Sequence, residues 1–400
     1  MSEAYTSDEF WQGVRKPVES ASTLPRDAYT SPGFFELEQT MVFDRGWVAV
    51  ACADELSQDG SVLVRSVGSR SVLVTRNSEA EVRVFLNACR HRGTELLDAD
   101  AAGLSVIRCP YHRWGYNLDG RLVATPRFTD VAVEGFDPSD YPLKSLRAEV
   151  FAGIVFACLD PTTAPIAEYY GDLGDRLAGY GLNGWKTRQT ATFDIAANWK
   201  LLSENFQEYY HLTWVHPELA KVSRVKDHYR YQGPGMYCGQ TTTPVSGDDR
   251  DDWLAMPAAA GLSASDAHSG RFLALFPNVM LSVLPNHAFV IQLEPLGPGR
   301  TRERCTWLLP PDSTDVTEET FAVTQDFWVD VNNEDIDICE RSQRGIHNGG
   351  FTEGRYSVRF EEPLHRFANM LADQFQCRQR IPAGDQDGDA SRYGDGRLPV

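Results

Sequence analysis

The feature that most constrains this chain is a pair of short cysteine–histidine motifs, Cys89-Arg90-His91 and Cys109-Pro110-Tyr111-His112, with 17 residues between them. Together they present two thiolates and two imidazoles. This is the ligand set of a Rieske [2Fe–2S] cluster, in which two cysteines bind one iron and two histidines bind the other. Because neutral imidazole leaves less negative charge on its iron, such a cluster has a higher reduction potential than an all-cysteine cluster. It can receive an electron from a ferredoxin and pass it onward.

A zinc ion is the alternative occupant of two cysteines and two histidines. Zinc-finger spacing usually pairs cysteine with cysteine and histidine with histidine, whereas each half here contains one residue of each type. The residues around each histidine also favour the cluster. They supply positive charge, backbone donors and glycine turns for tight loops, and they are Arg90-His91-Arg92-Gly93 and His112-Arg113-Trp114-Gly115. The two motifs therefore predict a [2Fe–2S] cluster rather than a zinc site.

The size, composition and net charge of the chain limit the classes of partner that it can bind. At 400 residues, with 42% hydrophobic and 11% aromatic residues, the chain can bury the cores of two domains. Its net charge of −18 argues against nucleic acid or an anionic membrane as partner, because the long-range field repels phosphates, and suits a cationic or neutral small molecule. No run approaches the roughly 20 apolar residues of a membrane span, and the first residues do not resemble a signal peptide. We therefore expect a cytoplasmic protein whose cysteines are mostly reduced.

The order of helix-like and strand-like segments predicts an α+β fold with two domains. A segment over 1–41, expected to pack on the catalytic domain, precedes an antiparallel β domain over 42–160 that carries the cluster; helices and an antiparallel sheet follow over 161–383, and an acidic tail over 384–400. The strand-like runs are 47–50, 61–65, 71–75, 82–86, 104–108, 153–157, 272–276, 279–284, 288–293 and 304–309. Helical periodicity covers 166–182, 198–211 and 316–346, and residues 247–266 read as a mobile loop.

A second group of potential metal ligands lies within Asn198–Pro217. On a helix Glu208 and His211 share a face, since they are three residues apart. His216 stands just before a proline, so the helix is predicted to end or unwind between the two histidines, which lets both point at one ion. Two imidazoles and one carboxylate on one face of a metal form the facial triad of non-heme Fe(II) oxygenases.

The third ligand of this triad must come from a distant part of the sequence. The acidic run Asn333–Glu340 is the richest source of carboxylates. We choose Asp335 and keep Asp337 as the alternative, because spacing alone does not separate them.

A histidine pair alone is weak evidence for a metal site, but the two motifs support each other. A cluster that moves single electrons needs an acceptor, and an iron that activates O2 needs an electron source.

With both motifs in this order, the chain resembles the catalytic (alpha) subunit of Rieske non-heme iron oxygenases over nearly its whole length. The resemblance implies a Rieske β domain followed by a helix-grip-like catalytic domain. It implies that [2Fe–2S] is bound by Cys89, His91, Cys109 and His112, and that mononuclear Fe(II) is bound by His211, His216 and Asp335. It also implies O2 as co-substrate and electrons from NAD(P)H through a flavin- or ferredoxin-type reductase.

The resemblance also assigns roles outside the metal ligands. Family members usually form trimers in which electrons cross between subunits. Glu208 would be the acidic bridge to a cluster histidine of the neighbouring subunit, linking the two metals through hydrogen bonds. Asn205, one helical turn earlier, would line the iron pocket.

Within the family, the chain is most similar to the quaternary-ammonium branch of choline and glycine betaine monooxygenases. The similarity rests on Thr23–Thr30, Glu38-Gln39, the late run Glu334–Gly345 and glutamate at position 208. It implies hydroxylation of an N-methyl carbon with release of formaldehyde. Aromatic faces would bind the cation through cation–π attraction, and the candidates are Trp214, Tyr237, Phe276, Phe289 and Phe327. Trp214 is bulkier than expected in betaine enzymes, so it would either narrow the pocket or offer a cation-binding face.

Two other functions fit part of the pattern. The same iron chemistry would serve a ring-hydroxylating oxygenase acting on an aromatic substrate, and fold alone does not decide between them. A Rieske electron carrier would need only the first motif. It would need neither the long remainder of the chain nor the histidine pair.

Overall fold

Short β-branched runs between turn residues form nine strands in residues 43–163, the first of two compact units. The structure, a computed structural model, describes residues 2–242 and 256–378. The strands of this unit are β1 Val48–Cys52, β2 Val62–Val67, β3 Arg70–Arg76, β4 Val82–Leu86, β5 Ile107–Arg108, β6 Gly115–Tyr116, β7 Leu122–Ala124, β8 Ser145–Phe151 and β9 Ile154–Cys158. They form an antiparallel six-stranded sheet in the order β1-β9-β8-β4-β3-β2 and a three-stranded sheet, β5-β6-β7.

The predicted strand runs of this unit lie on β1 to β4 and on β9, within a few residues at each end. The run at 104–108 is the exception, since only its last two residues are in a strand. Gly103 and Leu104 instead donate their N–H groups to the carbonyls of Asp59 and Gly60. That loop pairing occupies the backbone that a longer strand would need.

The second unit comprises residues up to Val42 and from Ala164 onward. Its seven-stranded antiparallel sheet has the order β10-β16-β15-β14-β13-β12-β11. These strands are β10 Lys186–Ile195, β11 His228–Arg230, β12 Tyr237–Thr242, β13 Gly270–Leu275, β14 Val279–Val283, β15 Ala288–Gly297 and β16 Arg300–Leu309. The helices are α1 Ser2–Thr6, α2 Asp8–Trp11, α3 Asp27–Thr30, α4 Pro32–Glu38, α5 Ile166–Tyr169, α6 Leu173–Leu177, α7 Trp199–Gln207, α8 Leu212–Val215, α9 Leu219–Val222, α10 Glu318–His347 and α11 Glu362–Phe375.

Two helices of this unit, α7 and α10, have side-chain caps at their N-termini. The N-cap of α7 is Asn198, whose side chain accepts the N–H of Lys200 at 3.0 Å. Thr317 caps α10 in the same way, and acidic residues in its first turn and basic residues in its last turn complement the helix dipole. Both helices pack together against the sheet, where Phe206 of α7 meets Phe272 of β13 with ring centroids 6.3 Å apart.

The predicted continuous helix at 166–182 is wrong. The segment contains two short helices, α5 and α6, followed by two 3-10 turns. Gly171, between the helices, has φ +55°, and a Cβ there would lie 3.0 Å from the backbone nitrogen of Gly235. The backbones of Gly171 and Gly235 lie too close together to leave room for a side chain at Gly171. A regular helix therefore does not continue through this point.

Helix α11, the last helix of the described chain, was not predicted from the sequence, although most of its residues are buried. The acidic tail at 384–400 lies outside the described residues, as does the 247–255 part of the predicted mobile loop. Among the residues that the structure does describe, none forms a helix both long and apolar enough to cross a membrane.

Candidate metal centres and substrate cavity

The two cysteine–histidine motifs lie on loops with the same backbone geometry. In each loop the cysteine N–H donates to the carbonyl five residues later, and the cysteine carbonyl accepts the N–H four residues later. The residue at that fourth position has positive φ: Gly93 at 74° and Arg113 at 62°. The sequence analysis is therefore right about a glycine turn in the first loop and wrong about Gly115 in the second. Gly115 belongs to β6, where a Cβ would lie 2.9 Å from Val106 Cγ1.

The four candidate cluster ligands divide into a buried half and an outer half. The side chains of Cys89 and Cys109 are buried, whereas His91 is half-buried and His112 is exposed. The two imidazole rings lie 4.7 Å apart, and His91 stacks on Trp114 with ring centroids 4.8 Å apart. The cysteines would hold the cluster on the buried side and the histidines on the exposed side, and the cluster would supply single electrons.

The spacing of these ligands fits a cluster better than a single ion. Of the described residues, only His211, His216 and Asp335 form a group of three or more metal-ligating atoms that all lie within 4.8 Å of one another. One tetrahedral zinc ion would bring its four ligand atoms to within about 4 Å of one another. The two cysteines and two histidines do not form such a group, and a [2Fe–2S] cluster would divide them between two irons.

Hydrogen bonds around Cys89 also suit a thiolate ligand. The Tyr116 hydroxyl accepts the N–H of Arg90 at 3.0 Å, which leaves its own proton to donate to Cys89 Sγ at 3.4 Å. Burial raises the pKa of the Cys89 thiol, and binding of an iron ion would favour its thiolate form. Burial, with the charges of His112 and Arg92, lowers the pKa of His91, which favours the neutral imidazole that a metal needs.

The second candidate centre lies where α7 ends and α8 begins. Helix α7 ends at Gln207, so the prediction that Glu208 and His211 share a helix face is wrong. Glu208 is extended, with φ −121° and ψ 166°, and its carboxylate accepts the backbone N–H groups of Tyr210 and His211. This local side-chain bonding gives the backbone an alternative to the next helical turn. His211 and His216 then flank the single turn of α8.

His211, His216 and Asp335 come together in space. Asp335 Oδ1 lies 2.8 Å from His216 Nε2 and 3.6 Å from His211 Nε2. The Nδ1 atoms point away, to Glu208 Oε1 at 2.5 Å from His211 and to Glu334 Oε2 at 2.7 Å from His216. These outer carboxylates orient both rings so that Nε2 faces the centre. Two nitrogens and one oxygen converging in this way fit Fe(II).

The alternative ligand lies elsewhere. Asp337 forms an ion pair with Arg341 at 2.8 Å, and its side chain is 59% exposed. Asn205 donates from Nδ2 to Asp335 Oδ1 at 2.6 Å. Asp335 is thus the carboxylate that the fold brings to the two histidines, and Asn205 orients it.

The carboxylates around both histidines favour their protonated forms when no metal ion is bound. Burial favours neutral imidazole at His216, but Asp335 and Glu334 outweigh it and raise its pKa to about 9. The pKa of His211 is also raised, because Glu208 and Asp335 outweigh burial. The site therefore stabilises positive charge, and a divalent metal ion bound there would supply that charge.

A cavity opens over this centre, with about 720 Å³ of space between its lining atoms, part of which is open solvent. One face of the sheet forms its floor, because the residue pairs Gln240–Phe272, Phe272–Ser282 and Ser282–Phe289 are in register across four strands. Trp328 of α10 covers these aromatic rings, 5.9 Å from Phe289 and 6.2 Å from Phe272.

Of the aromatic residues proposed from the sequence, only Phe289 is among the described residues that line the cavity; Tyr237, Phe276 and Phe327 are not. Trp214 is 73% exposed and does not narrow the cavity. The sequence analysis missed Phe206, Phe272 and Trp328. Only their pairing in the folded sheet and helices identifies them, and no local motif marks them.

The cavity also contains a buried carboxylate that the sequence analysis did not single out. Glu303 of β16 is 1% exposed and accepts a hydrogen bond from Asn332 Nδ2 at 3.0 Å. Burial raises its pKa to about 7. Asn332 is one helical turn before Asp335 on α10, so Glu303 lies beside the metal end of the cavity.

Comparison with known proteins matches both parts of the chain. The family described as "Ring hydroxylating alpha subunit (catalytic domain)" matches residues 182–376, and the "Rieske [2Fe-2S] domain" matches residues 46–136. The glycine betaine monooxygenase oxygenase subunit of Chromohalobacter salexigens is 28% identical, over 89% of this chain and 86% of that protein. The carnitine monooxygenase oxygenase subunit of Escherichia coli is 27% identical, over 90% and 95%. Naphthalene 1,2-dioxygenase from Rhodococcus sp. shares the fold, with a TM-score of 0.78 at 19% identity over 94% and 100% of the two chains.

Proposed function

We propose, from the premise that this chain belongs to the Rieske non-heme iron oxygenases, that it demethylates a small quaternary ammonium compound. One observation carries the proposal: the convergent His211, His216 and Asp335 face a cavity lined by aromatic rings and carboxylates. A trimethylammonium group offers no hydrogen-bond donor, so aromatic faces and negative charge are what can bind it. The names of the relatives that act on glycine betaine and carnitine support this choice over an arene.

The reaction balances as a monooxygenation. O2, two electrons and two protons convert an N–CH3 group into N–CH2OH and water. The N–CH2OH group then loses its hydroxyl proton, the carbon–nitrogen bond breaks with its electron pair on nitrogen, and formaldehyde leaves. The electrons come from NAD(P)H through a flavin- or ferredoxin-type reductase.

Each bound iron group supplies one kind of chemistry. Iron held by His211, His216 and Asp335 supplies the activation of O2, and the [2Fe–2S] cluster held by Cys89, His91, Cys109 and His112 supplies single electrons. The protein residues position these groups and the substrate. Glu208 and Glu334 orient the two imidazoles, and Asn205 orients the carboxylate.

We assign Glu208 the role of a bridge to a cluster histidine of a neighbouring subunit in a homotrimer. Its carboxylate holds the outer nitrogen of His211, on the side opposite the metal. The residues next to it, Tyr210 and Trp214, are exposed aromatic side chains of the kind that interfaces cover. A hydrogen-bonded carboxylate between two metal-ligating imidazoles would couple electron transfer to proton movement.

The test is formaldehyde release by iron-loaded protein under air, with a surrogate reductase and NADH. Choline, glycine betaine, carnitine, stachydrine and several arenes are offered separately. We expect formaldehyde from at least one ammonium compound, and its loss in His211→Ala. O2 uptake driven by an arene, with no formaldehyde from any ammonium compound, would replace this proposal with ring hydroxylation.

A further inference from the structure

The carboxylate of Glu303 has no basic partner in the described structure. It stands on β16, between β10 and β15 in the sheet, and its side chain is almost fully buried. Its hydrogen bond comes from the neutral amide of Asn332. Among residues 2–242 and 256–378, the side chains that act on its ionisation are Asn332 and Asp335, and neither is basic.

With iron bound and both metal-ligating imidazoles neutral, the charged side chains that line the cavity would all be acidic. The described lining residues include three carboxylates, Glu208, Glu303 and Asp335, and neither lysine nor arginine. The only cation that the proposed function places there is the iron, whose own ligands include one of these carboxylates. A ligand carboxylate entering this space would meet other carboxylates and no side chain to neutralise it.

A buried carboxylate without a cation is costly, because burial removes the water that stabilises its charge. The raised pKa of Glu303 reflects that cost. A cationic ligand would offset it, since opposite charges attract strongly in a cavity with little water. A quaternary ammonium group is suitable, because it carries the charge and requires no hydrogen-bond acceptor.

Position also favours such a contact. Glu303 contacts Asn332, which lies one turn from Asp335 on α10, about 5–6 Å along the helix surface. A trimethylammonium group bound at Glu303 would therefore hold a methyl group beside the metal centre. The rest of the ligand would extend over the remaining uncharged lining of the cavity.

We propose that Glu303 binds the ammonium head of the substrate and selects a net cation with an uncharged body over a zwitterionic betaine. This inference rests on the proposed function and narrows its substrate class. It also separates this chain from relatives named for glycine betaine and carnitine, which are both zwitterions.

The test is isothermal titration of the iron-loaded full-length protein without O2, so that binding is measured in the absence of turnover. The ligands are choline, glycine betaine and the primary amide of glycine betaine, which differs from betaine by one charge and little in size. We expect the wild type to bind the amide and choline at least about tenfold more tightly than betaine. Glu303→Gln should weaken binding of the two cations about tenfold and reduce the preference for the amide.

The matched control is Glu294→Gln, on the neighbouring strand β15, where the carboxylate is part-exposed and lies 3.7 Å from Arg302. It should bind all three ligands as the wild type does. If Glu303→Gln does not fold, the preference of the wild type decides alone. Betaine binding as tightly as its amide would overturn the inference, even if betaine releases formaldehyde and the proposed function stands. An enzyme that binds no ammonium compound and oxidises an arene would instead contradict the proposed function.

Discussion

At the scale of single residues, the candidate iron centre depends on carboxylates behind the histidines. Glu208 and Glu334 hold the Nδ1 atoms, so both Nε2 atoms are left to face Asp335. Glu208 also bonds the backbone of Tyr210 and His211, and it therefore shapes the loop as well as the ring orientation.

Glu208→Gln tests the bridge. The amide oxygen can still bond His211, so both irons should stay bound, but electron transfer from the cluster should slow by about 10- to 100-fold, the range typical of changes to groups that orient metal ligands. Rapid-mixing spectroscopy of the reduced cluster in the presence of substrate and O2 measures this rate. Glu218→Gln, whose side chain pairs with Lys221 on the exposed surface, is the control. Normal cluster oxidation in Glu208→Gln would contradict the bridge.

A second residue-scale prediction concerns Glu204, whose two oxygens each accept from the Tyr29 hydroxyl at 2.9 Å. Burial raises its pKa from 4.5 to about 8. The unfolded chain releases this proton above pH 4.5 and the folded protein holds it until about pH 8, so Glu204 lowers stability progressively as pH rises through that window.

Glu204→Gln should remove this contribution. Between pH 5.5 and 8 the stability of the variant, relative to wild type, should rise by up to roughly 3 kcal/mol. Urea unfolding at the two pH values measures the difference. The exposed Glu168→Gln should leave the pH dependence unchanged. Parallel curves for Glu204→Gln and wild type would mean that Glu204 is ionised in the folded protein.

At the scale of elements, a buried ion pair ties α4 to α7. Lys200 Nζ lies 2.7 Å from Glu38 Oε1, both side chains are fully buried, and Trp199 Nε1 donates to Glu38 Oε2 at 2.9 Å. This pair fixes the helix that carries Asn205 and leads into Glu208. Breaking this ion pair should lower the free energy of unfolding more than it changes the catalytic activity.

Lys200→Met should lower the free energy of unfolding by about 3–5 kcal/mol, because it leaves Glu38 buried without a cation. Adding Glu38→Gln should recover much of the loss, since no charge is then buried and the amide oxygen can still accept from Trp199. Urea denaturation of both variants measures the coupling. Equal losses in the single and double variants would show that packing, and not charge, dominates.

At the scale of the whole molecule, the proposed homotrimer gives a reason for the aromatic surface beside Glu208. Trp214 and Tyr210 are exposed in the single chain, and Tyr210 stacks on Phe360 with ring centroids 5.0 Å apart. Burying such a surface on assembly would contribute about 25 cal/mol for each Å² of apolar area.

Trp214→Glu should therefore weaken the trimer, shifting its dissociation midpoint at least about tenfold in concentration. Analytical ultracentrifugation over a dilution series measures this. Val323→Glu, a similar change at an exposed valine of α10, should leave assembly unchanged. A trimer equally stable in both variants would place the interface elsewhere.

Much of the molecule could be predicted from local sequence. The resemblance to Rieske oxygenases and the α+β fold are confirmed, because the two ligand motifs are each contained within a few residues and need no knowledge of distant contacts. The long helix α10 and most strands were also predicted, since amphipathic and alternating patterns record which side faces a core.

The sequence by itself determined which residue types could hold two irons and in what order they occur. Only the tertiary structure decided which carboxylate meets the histidines: Asp335 and Asp337 lie about 200° apart around α10, and packing of that helix turns one of them inward. It also placed Glu303, Phe272 and Trp328 around one cavity. Those residues meet through sheet register and helix packing between segments far apart in the chain, and no local pattern encodes that meeting.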